Sequence, residues 1–171
     1  MGLIDAIGYR SKPPGRFRGW LLAAVSTKLV SAMLSPTLRP LDSLTLTVSG
    51  GRATMSGLVG GMPVVWLTVV GRRSGEPHRV PLNGIPLDDD LAVIGSNFGS
   101  SHHPAWALNV EANPQVEVTY QGRSVPGLAR KATAREEADI WATAALIYPG
   151  YDRYRERAAN REIKVFVLER G

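Results

Sequence analysis

Arg72 and Arg73 stand side by side between Gly71 and Gly75, with Ser74 beside them and His78 and Arg79 just beyond. Glycines permit a tight turn, and the backbone N–H groups of such a turn can form a concavity for an anion. Arginine adds bidentate contacts to phosphate or carboxylate, and serine adds a hydroxyl. Taken alone, the stretch also reads as a solvated hairpin, because glycine-rich polar turns are common. A second stretch, GSNFGSSHHPAWALN over 95–109, joins a Gly- and Ser-rich loop to a proline-led segment. Loops that run from a strand end to a helix N-terminus suit flat, polar, partly anionic ligands. Phe98 and Trp106 have the shape to stack on a ring, although Trp106 equally suits the inner face of a helix. A third stretch, YPGYDRYRER over 148–157, repeats tyrosine at 148, 151 and 154. On a helix these share a face. Tyrosine can donate a hydrogen bond to a developing oxyanion, or it can form a packing stripe with its hydroxyls at the rim.

Other chemistries fit poorly. The 71–75 turn lacks the lysine and spacing of a P-loop, and GLVGG near residue 57 has no strand–loop–helix unit around it. No GxSxG accompanies the histidines, so a nucleophilic triad is not indicated. The adjacent His102 and His103 face different ways and have no ligand partner at metal spacing. The chain contains no cysteine, which excludes disulfides and thiolate sites and fits a cytoplasmic protein.

The elements that hold these stretches are mostly strands. VVWLTVV (64–70) reads as a buried strand. HRVPLNGIPL (78–87) reads as an edge strand or one interrupted by bulges, because of Pro81 and Pro86. DDD (88–90) turns into LAVIGS (91–96). PAWALNVEAN (104–113) reads as a helix with proline in its first turn, QVEVTY (115–120) as a half-buried strand, and SVPGLARKAT (124–133) follows a QGR turn. Thr133 and Glu136 form a capping box for AREEADIWATAALI, and IKVFVLER (163–170) closes as a strand. Strand–helix alternation is too irregular for a parallel sheet. The expected fold is mainly β with added helices: one antiparallel sheet closed into a small barrel, with helices outside it.

The chain has 171 residues, enough for one domain with a sizeable core, and a formal net charge of +5 that favours anionic partners. Residues 1–40 read as an N-terminal basic, amphipathic helical segment and 41–171 as the barrel domain. In residues 19–35 an apolar run is interrupted by Lys28 and hydroxyls, which disfavours a membrane span. The late, lysine-bearing apolar stretch also disfavours a signal peptide. Arg10, Lys12, Arg16 and Arg18 precede it, and Asp5 is the sole acid before Asp42. Such a collar beside an apolar helix suits peripheral contact of residues 1–35 with the inner membrane surface, but a helix packed on its own domain is the simpler reading.

With these stretches in place, the sequence resembles the deazaflavin-dependent nitroreductase family, the F420H2-dependent reductases of actinobacterial type, including quinone reductases. The family pattern is a hydrophobic strand into TGR(K/R)(S/T)GxPR, then NPxW…NLxANP after a Ser- and Gly-containing loop, then YPxYxxYxxxTxREIPVxxLE. This chain carries VVGRRSGEPHRVPL, GSNFGSSHHPAWALNVEANPQVEV and IYPGYDRYRERAANREIKVFVLER in that order. The resemblance runs from about residue 60 to the end. It implies a split β-barrel of the FMN-binding, flavin-reductase-like type, and coenzyme F420 as the hydride donor. It implies that Arg72, Arg73, Ser74, Gly75, His78 and Arg79 hold the coenzyme phosphate and polyglutamate tail. Ser96, Asn97, Phe98, Gly99, Pro104, Ala105 and Trp106 would border the ring. Tyr148, Tyr151, Tyr154 and Ser96 would serve the acceptor. His78 stands where arginine is usual, Asn97 where some members have lysine, Ala107 where many have an aromatic, and AANREI lacks the usual threonine. These departures bear on the substrate more than on the coenzyme.

The expected activity is hydride transfer to a small-molecule electron acceptor such as a quinone, an enone or a nitro compound. FMN or haem in the same barrel is the second reading, and a cofactor or lipid carrier without turnover is the third. A nucleic-acid-binding barrel is disfavoured because the strands are aliphatic rather than basic and aromatic. No metal is expected. Monomer and homodimer both remain open.

Overall fold

The computed structural model describes residues 2–10, 63–147, 150–158 and 160–171. The stretches 19–35 and 41–62, and with them the proposed domain division at residue 40, lie outside the described residues. Seven strands form one sheet in the order β2-β1-β5-β6-β7-β4-β3, and every paired neighbour is antiparallel. They are β1 Val64–Val70, β2 Pro77–Asn83, β3 Ile85–Leu87, β4 Asp90–Ile94, β5 Gln115–Tyr120, β6 Arg123–Lys131 and β7 Val165–Arg170. Four α-helices accompany them: α1 Leu3–Ile7, α2 Ala105–Ala112, α3 Ala134–Ile147 and α4 Gly150–Arg157. A 3-10 turn covers Asn97–Gly99.

β2 and β3 lie at opposite ends of the strand order, yet Gly84 alone separates them in sequence. The sheet therefore curls until its two edges meet at that residue. The expected strand 78–87 is divided here, and both of its prolines fall on edge strands, where a missing N–H leaves no ladder bond unmade. Tyr9 fixes the joint by donating from its hydroxyl to the Gly84 carbonyl at 2.5 Å. Its ring lies 3.2 Å from the point where a Cβ on residue 84 would stand, so the close approach requires glycine. Burial raises the pKa of that phenol, with Tyr120 and Tyr151 adding to the effect, so Tyr9 stays a neutral donor.

Two apolar clusters flank the sheet. Inside the curl, Val65, Leu67 and Val69 of β1 meet Leu91, Val93, Val116, Val118, Phe166 and Leu168. The short α1 fills one side of this core with Leu3 and Ile7, and α2 contributes Trp106 and Val110. Residues 2–10 thus pack with the barrel. On the other face, Ala92, Ile94, Val165 and Val167 meet Ile140, Trp141 and Ala144 of α3 and Tyr151 of α4. β4 and β7 are buried on both faces, which explains their nearly unbroken apolar sequence.

The start of α3 is fixed as its sequence indicates. Glu136 accepts from the Thr133 backbone N–H at 2.8 Å, and its own N–H donates to Thr133 Oγ1 at 3.3 Å. Arg130 adds a two-pronged contact to Glu136, at 2.6 and 2.8 Å, and reaches Glu169 at 2.6 Å. These donors, Arg130 foremost, hold the Glu136 carboxyl down at about 2, from an ordinary 4.5. Its folded pKa is depressed, so its stabilisation is complete above pH 4.5 and is lost as pH falls towards 2. Glu136→Gln is expected to lower Tm by about 3 °C at neutral pH. In thermal melts across pH, that gap should close as both proteins approach about pH 2.

Candidate functional site

The β1–β2 hairpin places the paired arginines. Its ladder ends at Val70 and Pro77, and the residues between them form the turn. The Gly71 N–H donates to Glu76 O and the Gly75 N–H to Gly71 O, both at 2.8 Å. Gly75 adopts φ 73°, a conformation that favours glycine. Ser74 Oγ accepts from the Glu76 N–H at 3.2 Å and lies 3.2 Å from His78 Nε2. Arg72 is anchored: its backbone N–H and its Nη1 both donate to Asn109 Oδ1 at 3.2 Å. Asn109 is 7% exposed and sits on α2. Arg79 stacks over the Trp66 ring at 4.7 Å. Among the described residues, none of Arg72, Arg73 and Arg79 forms an ion pair with a carboxylate. Their charge is held in place without being neutralised, and that donor set fits a polyanionic tail.

Asn109 leads to the second stretch. It lies about 6 Å along α2 from the helix start. Pro104 caps that start in an extended conformation, and Ala105 opens the helix. Trp106 turns into the barrel core, edge-on to Phe166 at 5.9 Å. Upstream, β4 delivers the chain to Gly95 and Ser96, both buried. Asn97 has φ 46° and donates from Nδ2 to His102 O at 3.0 Å. The side chain of Phe98 is outside those described.

The tyrosine helix α4 rests on this loop. A Cβ on Gly99 would stand 2.7 Å from Arg157 Cβ, so α4 reaches the loop only because residue 99 is glycine. Tyr151 is 5% exposed, edge-on to Trp141 at 6.2 Å and to Tyr154 at 6.0 Å. Its hydroxyl accepts from Asn83 Nδ2, at the end of β2, at 3.4 Å. Tyr154 is half-buried, with the Arg157 guanidinium 6.0 Å from its ring. Tyr148 lies outside the described residues.

The turn, α2, the 95–104 loop and α4 thus form a connected band. Tyr151 and Tyr154 join the loop residues Ser96, Asn97 and Gly99, and Arg72 joins through Asn109. Arg73, Ser74, His78 and Arg79 remain on the hairpin at the far end. Three residues without an assigned role proved central: Asn83, Asn109 and Arg161. Asn109 and Arg161 stand inside the stretches ALNVEAN and NREI, so spacing marks them, but only packing reveals what they touch. Arg161 donates to the carbonyls of Ser96 at 2.7 Å, Ser100 at 2.8 Å and Gly95 at 3.2 Å. Its Nη1 lies 3.4 Å from His103 Nδ1, which must therefore accept. Burial first, then Lys164 and Arg161, lowers the His103 pKa and keeps the ring neutral for that contact.

Comparison with known proteins agrees with this arrangement. Residues 42–170 match the family described as F420H(2)-dependent quinone reductase. A solved F420-H2 dependent reductase, FDR-A, is 34% identical, with 62% of this chain and 93% of that one covered at a TM-score of 0.57. A chain solved as a domain-swapped dimer is 29% identical, with 82% and 99% covered at a TM-score of 0.58. The haem storage protein HutZ of Vibrio cholerae is 14% identical, with 64% and 82% covered at a TM-score of 0.51, and shares the fold alone. The fold is the antiparallel split barrel, and the chain belongs to the F420H(2)-dependent quinone reductase family, oxidoreductases whose cofactor is coenzyme F420.

Proposed function

We infer that the protein passes a hydride from reduced coenzyme F420 to a quinone, an enone or a nitro-type acceptor. The observation that carries this reading is the connected band from the arginine turn to the tyrosine helix. Anchored, unneutralised cations stand at one end, and hydroxyl groups beside a glycine-containing loop stand at the other. An elongated coenzyme with an anionic tail and a flat ring matches that order. Arg72, Arg73, Ser74, Gly75, His78 and Arg79 would hold the tail, whose negative charges meet fixed donors. Ser96, Asn97, Phe98, Gly99, Pro104 and Ala105 would border the ring, with Trp106 supporting α2 from the core side.

When bound, the reduced deazaflavin supplies the hydride, and the protein supplies orientation and electrostatics. Asn83 donates to Tyr151 Oη, so the phenolic proton is directed away from Asn83. Tyr151, with Tyr148, Tyr154 and Ser96, would direct hydroxyls at the acceptor atom that gains negative charge. Packing of Tyr151 against Trp141 fixes that hydroxyl before the acceptor arrives, which lowers the reorganisation needed during transfer. The related domain-swapped dimer supports a homodimer for this chain. The basic and apolar composition of residues 10–35 supports peripheral membrane contact, where an apolar quinone is dissolved.

The direct test is oxidation of reduced F420 against a panel of quinones, enones and nitro compounds, beside titrations with F420, FMN and haem. Turnover with at least one acceptor class is expected; tight FMN binding with no response to F420 would overturn the reading. Replacing Arg72 and Arg73 together by alanine is expected to weaken F420 binding by about tenfold or more, since each charged hydrogen bond contributes about 1.5–3 kcal/mol. The slope of log affinity against log salt should fall as well, with Tm unchanged, because the lost contacts are ionic. Tyr151→Phe is expected to cut kcat by about tenfold while F420 affinity stays near wild type. Equal loss of both would assign Tyr151 to packing.

A further inference from the structure

Arg161 is unusual among the arginines of the described structure. Its guanidinium is surrounded by backbone oxygen rather than carboxylate. Nε donates to Ser100 O at 2.8 Å, Nη2 to Ser96 O at 2.7 Å and Gly95 O at 3.2 Å, and Nη1 to Glu162 O at 3.4 Å and to His103. No ion pair offsets its charge among the described residues. The loop carbonyls do so with their dipoles. The loop they belong to holds Asn97 at φ 46°, on the side that few non-glycine residues adopt, so something outside Asn97 must stabilise it.

We propose that Arg161 is the positioning residue of the ring-facing loop: by drawing in the carbonyls of Gly95, Ser96 and Ser100, it aims the N–H groups of Ser96 and Asn97 at the coenzyme. The geometry follows from the planar trans peptide, in which C=O and N–H point in opposite directions. The carbonyls of Gly95 and Ser96 point to Arg161, so the N–H groups of Ser96 and Asn97 point to the opposite side. The planar fork matters, because its nitrogens reach carbonyls on both arms of the loop at once. A lysine ammonium is a single point charge that cannot span them. This role rests on the reading of residues 96–99 as neighbours of the deazaflavin ring. Arg161 does not touch the reacting atoms; it acts through the loop.

The test compares wild type, Arg161→Lys and Arg161→Ala as full chains. Amide hydrogen exchange at Ser96–Ser100 is measured without coenzyme, and steady-state oxidation of reduced F420 is measured with and without low guanidinium. Both variants are expected to exchange at least about tenfold faster in the loop, with the barrel strands unchanged. Turnover should fall by about 10²-fold in kcat/KM, as for a catalytic geometry misplaced by about 1 Å. Added guanidinium should restore part of the Arg161→Ala loss and leave wild type unaffected. Loop exchange at the wild-type rate, or a kcat/KM within about twofold of wild type, would overturn the proposal. So would a loss that tracks Tm and ignores guanidinium. A wild-type protein that oxidises no reduced F420 would reject the coenzyme reading instead, and the exchange measurement would still decide whether Arg161 sets the loop.

Discussion

The step at Gly84 is the constraint on which the rest of this structure depends. One residue carries the chain from the β2 edge to the β3 edge, so the sheet has to close on itself. Closure creates the interior that Leu3, Ile7 and Trp106 fill, and it brings the end of β2 against α4. Tyr9 stabilises the joint with a buried hydrogen bond and an aromatic contact to Tyr120 at 5.1 Å between ring centres. Without the joint, Asn83 would have no reason to meet Tyr151, and the tyrosine helix would lose its link to the coenzyme side.

Three arginines show how the same side chain is used in three electrostatic settings. Arg130 meets Glu136 and Glu169 and is neutralised; it ties a helix start to the sheet. Arg161 meets carbonyl oxygens and keeps its charge, which suits shaping a loop. Arg72 meets the amide of Asn109, a neutral acceptor, so its position is fixed while its charge still acts on the surroundings. A carboxylate in place of Asn109 would fix Arg72 equally well but would cancel the field that an anionic tail requires. The neutrality of Asn109 is therefore as telling as the charge of Arg72.

Most of the barrel was legible in the sequence because its signals are local. β-branched alternation marks β1, Thr133 and Glu136 mark the start of α3, and proline marks the opening of α2. The two prolines of residues 78–87 announced edge strands, yet no local signal said that a single glycine would separate opposite edges. That is a property of sheet closure. α1 was missed for a similar reason: its five residues carry almost no periodic signal and are held by Asp89, Asp90 and the barrel core. For the site, spacing identified the three segments, whereas Asn83, Asn109 and Arg161 emerged only from contacts. Each acts on a partner distant in sequence, which periodicity and turn chemistry cannot register. Trp106 illustrates the opposite case, since both a ring-lining and a core role suited its sequence and its packing on Phe166 places its side chain in the core.

The two apolar clusters also divide the labour of the site. The arginine turn and α2 are supported by the inner core, through Val69, Trp106 and Val110. The tyrosine helix is supported by the outer core, through Ile140, Trp141 and Ala158. β4 and β7 separate the two and send alternate side chains into each. Substitutions in separate clusters combine almost additively when they share no partners. The acceptor side can therefore change residues on α4 without unsettling the side that holds the coenzyme tail. The loop from Gly95 to Pro104 is the exception, because it touches both. Arg161 grips its carbonyls, α4 presses on Gly99, and α2 begins at its end. A site that must hold one coenzyme while its acceptors differ should be most constrained at that seam, and the densest set of hydrogen bonds in the band is found there.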